Sequence, residues 1–272
     1  MLAKDCLPLI DLTRKQTSSS ISSAQVALRQ FGAFRLVAPQ LTRNLSQSVF
    51  QNAREFFKLP IEVKEKTSGY SGFDTELVRG KTAIPKETIC YKESVENYHS
   101  YSSPLGFQSS MEELQHWANL RSPLFDQLST ILDSTEPLIG TTSLDHESLG
   151  VNFYDSDRLG CDRIYFNPAH MDSSIVTILI RATEARDGLE IADLETTDKL
   201  DSEGIGLTAS FIPVPAMPDE VIVLAGTRLQ RLLGKNKVRA CVHRVRSPTQ
   251  TRNRFMVNER LSLAIFCESS MK

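Results

Sequence analysis

The sequence predicts a mainly β protein: a double-stranded β-helix, or jelly roll, with a helical region packed against it. Short apolar segments recur after residue 148 and are separated by turn residues. No helical pattern interrupts them, and such a succession of strands is typical of an antiparallel sandwich or barrel. The segments are 150–154, 164–166, 175–180, 188–191, 209–214, 221–224, 238–245 and 261–267.

The first half of the chain carries helical patterns between its strands. The first helix is expected to begin at Ser22 or Ser23 and to end at Gly32, and two later segments also repeat apolar residues at helical spacing. The predicted helices are 22–31, 45–57 and 111–132, and the predicted strands are 7–12 and 34–37. Residues 67–108 are rich in Ser, Tyr, Gly and Lys, so we expect loops with a short strand there.

Composition and charge narrow the class of protein. The 272 residues are 40% hydrophobic and 24% charged, which is typical of a globular protein, and the net charge of -2 gives no strong field to attract nucleic acid. No signal peptide or membrane-spanning run is recognisable, and the five cysteines form no C-x-x-C pair. We expect a cytoplasmic protein with free thiols, with an N-terminal helical region over 1–147 and a jelly-roll core over 148–272, joined as one structural unit.

Two histidines and one aspartate form a candidate metal site. His170 and Asp172 are two residues apart at the edge of a strand pattern, and residues i and i+2 of an extended segment face the same side. His243 lies within another predicted strand. Two histidines and one carboxylate are the facial triad that binds Fe(II) and leaves positions open. A surface histidine beside an aspartate is the ordinary alternative for an isolated H-x-D.

A series of short motifs follows the order found in a known family. The motifs before residue 148 are P-L-I-D-L at 8–12, F-G-A-F-R-L-V at 31–37, F-F-K-L-P-I-E-V-K at 56–64, G-Y at 69–70 and K-E-S at 92–94. The later ones are N-F-Y at 152–154, H-M-D at 170–172, G-L-E-I at 188–191, L-Q at 229–230, H-R-V at 243–245 and R-L-S at 260–262. With them the chain resembles the isopenicillin-N-synthase-like family of Fe(II)- and 2-oxoglutarate-dependent oxygenases.

The resemblance implies a role for each residue of two sets. The implied Fe(II) ligands are His170, Asp172 and His243, and the residues implied to hold the co-substrate 2-oxoglutarate are Arg260, Ser262, Tyr154 and Asn152. The arginine would pair with the distal carboxylate, because a planar guanidinium meets a carboxylate bidentately. A solvated charge at a strand end is the alternative for Arg260.

The aspartate of the triad also bears on the reaction. Halogenases of the superfamily typically carry Ala or Gly in its place, so Asp172 implies hydroxylation, desaturation or cyclisation of a small organic molecule with O2, releasing succinate and CO2, as in secondary metabolism. The residues expected to face this substrate are Tyr165, Asn167, Tyr70, Tyr91 and Lys92. The other histidines, at 99, 116 and 146, match no ligand position.

Two further questions stay open at this point. The acidic segment 192–208 lengthens the gap between the metal ligands, and it is either a lid over the site or a solvated hairpin extension. Two other functions also fit the sequence: an Fe(II) oxidase of the same fold that does not use 2-oxoglutarate, and a non-catalytic jelly-roll module that binds a ligand or a protein.

Overall fold

The computed structural model describes ten segments of the chain, namely 7–11, 18–67, 69–78, 82–92, 130–131, 147–158, 163–182, 188–195, 210–247 and 259–267. The helices are α1 (Ser18–Gln30), α2 (Pro39–Phe57), α3 (Ile61–Lys64) and α4 (Thr227–Leu233). The strands of the first half are β1 (Leu9–Asp11), β2 (Ala33–Val37), β3 (Tyr70–Ser71), β4 (Leu77–Val78), β5 (Thr82–Ala83) and β6 (Glu87–Lys92). Those of the second half are β7 (Glu147–Asp155), β8 (Tyr165–His170), β9 (Val176–Arg181), β10 (Leu189–Asp193), β11 (Ser210–Pro213), β12 (Glu220–Ala225), β13 (His243–Arg246) and β14 (Glu259–Cys267).

Two sheets carry the architecture within the described residues. The large sheet has the order β1-β2-β12-β9-β14-β7-β6-β3, and the small sheet has the order β11-β10-β13-β8. All pairs in both sheets are antiparallel except β1 with β2. Four strands of the first half therefore extend the sheet that the second half builds.

The two sheets enclose a common core. Ile191 of the small sheet is fully buried in the same apolar cluster as Leu179 and Ala264 of the large sheet. Helices α1 and α2 join this cluster, because each presents its buried residues at helical spacing. The buried residues are Ala24, Ala27 and Leu28 in α1, and Val49, Phe50, Ala53, Phe56 and Phe57 in α2.

Gly32 connects α1 to β2 in a conformation that few other residues adopt. Its φ of +66° lies in the left-handed region, and its amide donates to the Ala27 carbonyl at 3.1 Å, which ends the helix. A Cβ here would also approach the backbone nitrogen of Cys241 to 2.7 Å. The glycine thus allows the first helix to pack directly against the segment that leads into His243.

Strand register defines one face of the large sheet that we call the inner face. Across the sheet, Thr88 pairs with Asn152, Asn152 with Ser262, and Tyr154 with Arg260. Phe266 pairs with Thr177 in the same way. Because alternate residues of a strand share a face, these side chains all point into the space between the two sheets.

Several local expectations from the sequence need correction. Helix α1 begins at Ser18 and α2 at Pro39, both earlier than predicted. In α1 the polar residues Ser18 and Ser19, which broke the apolar pattern, lie on the exposed side of the helix. The region 67–108 contains four short strands in its described part rather than one, and helix α4 interrupts the predicted run of strands. Of the helix predicted over 111–132, only 130–131 are described, and they are helical. No helix of the described residues is long and apolar enough to cross a membrane.

Candidate iron centre and co-substrate site

The side chains of His170, Asp172 and His243 converge between the two sheets. One ligand atom of each lies within 4.8 Å of the others. Asp172 Oδ1 is 3.7 Å from His170 Nε2 and 3.9 Å from His243 Nε2. His170 ends β8 and His243 begins β13, where the two residues are direct cross-strand partners. Strand pairing therefore joins two ligands that are 73 residues apart in the sequence.

Hydrogen bonds leave a free ligand atom on His170 and on Asp172. His170 Nδ1 lies 2.8 Å from the Pro168 carbonyl, which can only accept, so Nδ1 carries the proton and Nε2 keeps its lone pair. The Thr177 hydroxyl donates to Asp172 Oδ2 at 2.6 Å, and this bond leaves Oδ1 towards the histidines. Ser174 Oγ, 2.9 Å from Thr177 Oγ1, extends the chain of bonds by one residue.

Burial keeps His170 in the form that binds metals. Burial, and secondly the charge of His243, lower the pKa of His170 to about 4. The imidazole is therefore neutral at physiological pH, as a metal ligand must be. Burial also raises the pKa of the nearby Cys241 thiol well above its usual value, so this cysteine stays protonated beside the triad.

The residues implied to hold 2-oxoglutarate form a second group on the inner face. Arg260 Nη1 donates to Ser262 Oγ at 3.1 Å, and its guanidinium lies 5.0 Å from the ring centroid of Tyr154. Arg260 and Ser262 are 6% and 1% exposed, which contradicts the alternative of a solvated strand-end charge for Arg260. The Tyr154 ring packs in an apolar cluster with Ile84, Phe166 and Val245, and Val78 packs against it.

The predicted substrate-facing residues do not lie together in the structure. The Tyr70 hydroxyl donates to Glu87 Oε2 at 2.8 Å, and Glu87 alternates with Thr88 and so points away from the inner face. Arg244 lies 4.7 Å from the Tyr165 ring centroid and alternates with His243, so it points away from the triad. Neither tyrosine is therefore brought to the triad.

Asn167 differs from these tyrosines. It pairs with Val245 and is buried, and its Oδ1 has no hydrogen-bond partner among the described residues. Tyr91 and Lys92 belong to β6, but their side chains lie outside the described structure. Most of the segment 192–208 and the histidines at 99, 116 and 146 also fall outside it.

Two residues of the site escaped prediction from the sequence. Lys86 Nζ donates to Asn152 Oδ1 at 2.7 Å, and Thr177 holds Asp172. Thr177 stands five residues after Asp172. This spacing indicates a contact only once the turn between β8 and β9 is known. Lys86 precedes strand β6, whose sequence pattern could not be distinguished from that of the surrounding loops.

Comparisons with known proteins identify the family. The family model for the N-terminal region of a non-haem dioxygenase in morphine synthesis matches residues 7–119, and the model of the 2OG-Fe(II) oxygenase superfamily matches residues 147–269. The chain belongs to the 2OG-Fe(II) oxygenase superfamily. The oxygenase is thus a 2-oxoglutarate-dependent non-haem iron dioxygenase, which confirms the predicted family, enzyme class, cofactor and co-substrate.

Individual relatives agree with this assignment. Flavanone 3-dioxygenase 2 of Oryza sativa is 25% identical over 255 residues, covering 88% of this chain and 68% of that protein. A full-length Neurospora crassa protein crystallised with α-KG and thymine superposes with a TM-score of 0.73 at 20% identity, covering 99% of this chain and 88% of that one. AtDAO1 of Arabidopsis thaliana, a dioxygenase for auxin oxidation in complex with 2-oxoglutarate, gives 0.71 at 18% identity, covering 97% and 93%. These similarities confirm the jelly-roll fold.

The donor set fits Fe(II). Two neutral imidazoles and one carboxylate oxygen are the ligands of non-haem iron oxygenases, and they leave positions for a 2-oxo acid and O2. Bound Fe(II) supplies O2 activation coupled to decarboxylation of 2-oxoglutarate. The chain contributes the orientation of the ligands through Pro168 and Thr177, and it keeps water from the arginine end of the site by packing Ile84 and Phe166 there.

Thr177→Val is expected to weaken iron binding without unfolding the protein. Valine keeps the shape of threonine but cannot donate to Asp172, so the carboxylate loses the bond that fixes its orientation. Loss of such an outer partner costs about 10–100-fold in metal affinity or activity. Anaerobic Fe(II) titration measures the change, with the exposed Thr82→Val as the matched control; equal affinity in both variants would contradict the role of Thr177.

Proposed function

We propose that His170, Asp172 and His243 hold Fe(II) in this oxygenase, and that Arg260, Ser262, Tyr154 and Asn152 hold 2-oxoglutarate. The proposal rests on one observation: the buried Arg260–Ser262 pair lies on the inner face, which also carries Thr177, the residue that donates to Asp172 of the triad. The pair supplies a cation and a hydroxyl for a carboxylate, and the triad supplies the metal ligands. A molecule with a carboxylate at one end and a chelating 2-oxo acid at the other matches these two groups of residues, one for the carboxylate and one for the metal.

We further propose that the substrate is a small organic molecule that undergoes hydroxylation, desaturation or cyclisation. Phe266 supports a substrate with an apolar or ring-containing part, because it is partly exposed and pairs across the sheet with Thr177, the residue that holds Asp172. The relatives named for flavanone and auxin, and the one crystallised with thymine, agree with a ring-containing substrate.

Asn167 is the predicted substrate-facing residue that the geometry supports best. A buried amide oxygen without a partner is costly, and a bound donor would remove that cost. The roles of Tyr91 and Lys92, the boundary at residue 147 and a cytoplasmic location stay predictions.

One experiment tests this proposal against its alternatives. The purified protein is titrated anaerobically with Fe(II) and 2-oxoglutarate, and a weak visible charge-transfer band is expected only when both are present. Candidate ring-containing molecules are then screened with O2 for succinate formed in step with substrate loss. Oxidation that needs no 2-oxoglutarate would favour the same-fold oxidase, and failure to bind iron would favour the non-catalytic module.

A further inference from the structure

Lys86 is a buried cation next to the proposed 2-oxoglutarate site. It stands two residues before Thr88, which pairs with Asn152 on the inner face. Its Nζ lies 2.7 Å from Asn152 Oδ1 and 2.8 Å from Glu76 Oε2, and the lysine side chain is only 10% exposed. The lysine therefore bridges a carboxylate near the surface and an amide of the site.

The bond to Lys86 fixes the orientation of the Asn152 side chain. Asn152 Oδ1 accepts from Lys86 Nζ and also from Thr88 Oγ1 at 3.2 Å. Two donors on one oxygen assign the oxygen and the nitrogen of the amide, since a flipped amide would place its NH2 group against an ammonium that can only donate. The NH2 group of Asn152 is thereby left to donate to another acceptor.

2-Oxoglutarate supplies hydrogen-bond acceptors for this NH2 group. Both of its carboxylates are ionised at neutral pH and can only accept hydrogen bonds. Asn152 stands between Thr88 and Ser262 in the register of the sheet, and Ser262 bonds to Arg260. The amide is thus one strand away from the residues proposed for the distal carboxylate.

Lys86 also stays charged in this setting. Burial opposes its charged form, but the electrostatic interactions with Tyr154 and Glu76 outweigh it, so the pKa of Lys86 lies above its usual value. Glu76 is 33% exposed, so solvent screens the counter-charge more than it screens the lysine.

We infer that Lys86 is a positioning residue for 2-oxoglutarate: it holds the Asn152 amide with its NH2 group free to donate, and it adds a second positive charge to the end of the site formed by Arg260 and Ser262. The inference rests on the proposed function. It accounts for a buried lysine that the triad and the arginine do not need as a ligand. A lysine that served only the ion pair with Glu76 would have no reason to fix an inner-face amide.

The test is a double-mutant cycle in the full chain, with half-saturation by 2-oxoglutarate as the readout. Lys86→Met is expected to raise the half-saturating concentration by about 10-fold, the effect of one lost hydrogen bond with a charged group. Asn152→Ala should raise it to a similar extent, and the double variant should raise it by clearly less than the two single effects combined, because both changes remove the contact through the amide while only Lys86→Met also removes the charge. Fe(II) affinity should not change, and the exposed Lys235→Met is the matched control.

The outcomes separate this inference from the proposed function. If Arg260→Met weakens 2-oxoglutarate binding but Lys86→Met does not, the role of Lys86 is refuted and the site survives. Fully additive effects of Lys86→Met and Asn152→Ala would also refute it. If neither Arg260→Met nor Lys86→Met changes saturation, the proposed co-substrate site itself is wrong. Should Lys86→Met fail to fold, Lys86→Gln, which keeps a donor but removes the charge, is expected to show an intermediate loss.

Discussion

Asp172→Ala is expected to abolish oxidation of every substrate while the protein stays folded. Asp172 offers the single oxygen ligand of the triad, and its Oδ1 faces both imidazoles at 3.7 and 3.9 Å. Removing the carboxylate leaves two nitrogen ligands, and the Thr177 hydroxyl loses its acceptor on Asp172. The loss should exceed about 100-fold, since changing an outer partner alone costs 10–100-fold.

Turnover and iron content are measured together on the same preparations. His170→Ala and His243→Ala should behave like Asp172→Ala, and Asp157→Ala, which removes an exposed carboxylate on the turn after β7, is the matched control. Circular dichroism checks that each variant keeps its strands. A single variant of the triad that retains stoichiometric iron and near-complete turnover would disprove the ligand assignment.

Those parts of the site that depend on strand periodicity were predictable from the sequence. The spacing of His170 and Asp172 places both on one side of an extended segment, whatever the tertiary structure. The spacing of Arg260 and Ser262 works in the same way, and the hydrogen bond between them is present. His243 was added as a histidine within another predicted strand that completes a facial triad, and the family resemblance supported this link, which periodicity alone could not make.

Contacts that depend on cross-strand register were not predictable. Lys86 meets Asn152 because β6 pairs with β7, and these strands are separated by a long segment whose pattern gives no pairing partner. Thr177 reaches Asp172 because the chain turns back between β8 and β9. In both cases an ordinary polar residue gains its role only from the neighbour that the fold supplies.

Tyr70 shows that a residue type can suggest a role in substrate binding while the packing gives it a structural role. Glu87 is 1% exposed and needs charge partners, and it receives them from Lys64 at 2.5 Å and from Arg158. The Tyr70 hydroxyl completes this buried cluster. The lysine of the 56–64 motif and the tyrosine of the G-Y motif therefore stabilise the fold around β6, and sequence spacing could not distinguish this from a role in substrate binding.

Arg260→Met is expected to separate co-substrate binding from metal binding. The guanidinium is 6% exposed and lies against Tyr154, with apolar side chains of β8 and β13 packed on that ring. In such a dry setting the distal carboxylate of 2-oxoglutarate would lose its ionic partner. Breaking a buried pair by removing one member costs on the order of 3–5 kcal/mol. That cost corresponds to roughly two to three and a half decades in affinity.

The half-saturating concentration of 2-oxoglutarate should therefore rise by about that factor in Arg260→Met, while Fe(II) affinity stays nearly constant because the arginine is not a ligand. A 2-oxo acid with only one carboxylate has no distal charge, so its binding should hardly change and the variant should discriminate less between the two acids. Arg231→Met, which removes an exposed arginine from α4, controls for the loss of a positive charge. Unchanged saturation by 2-oxoglutarate in Arg260→Met would mean that the oxygenase binds its co-substrate through other residues.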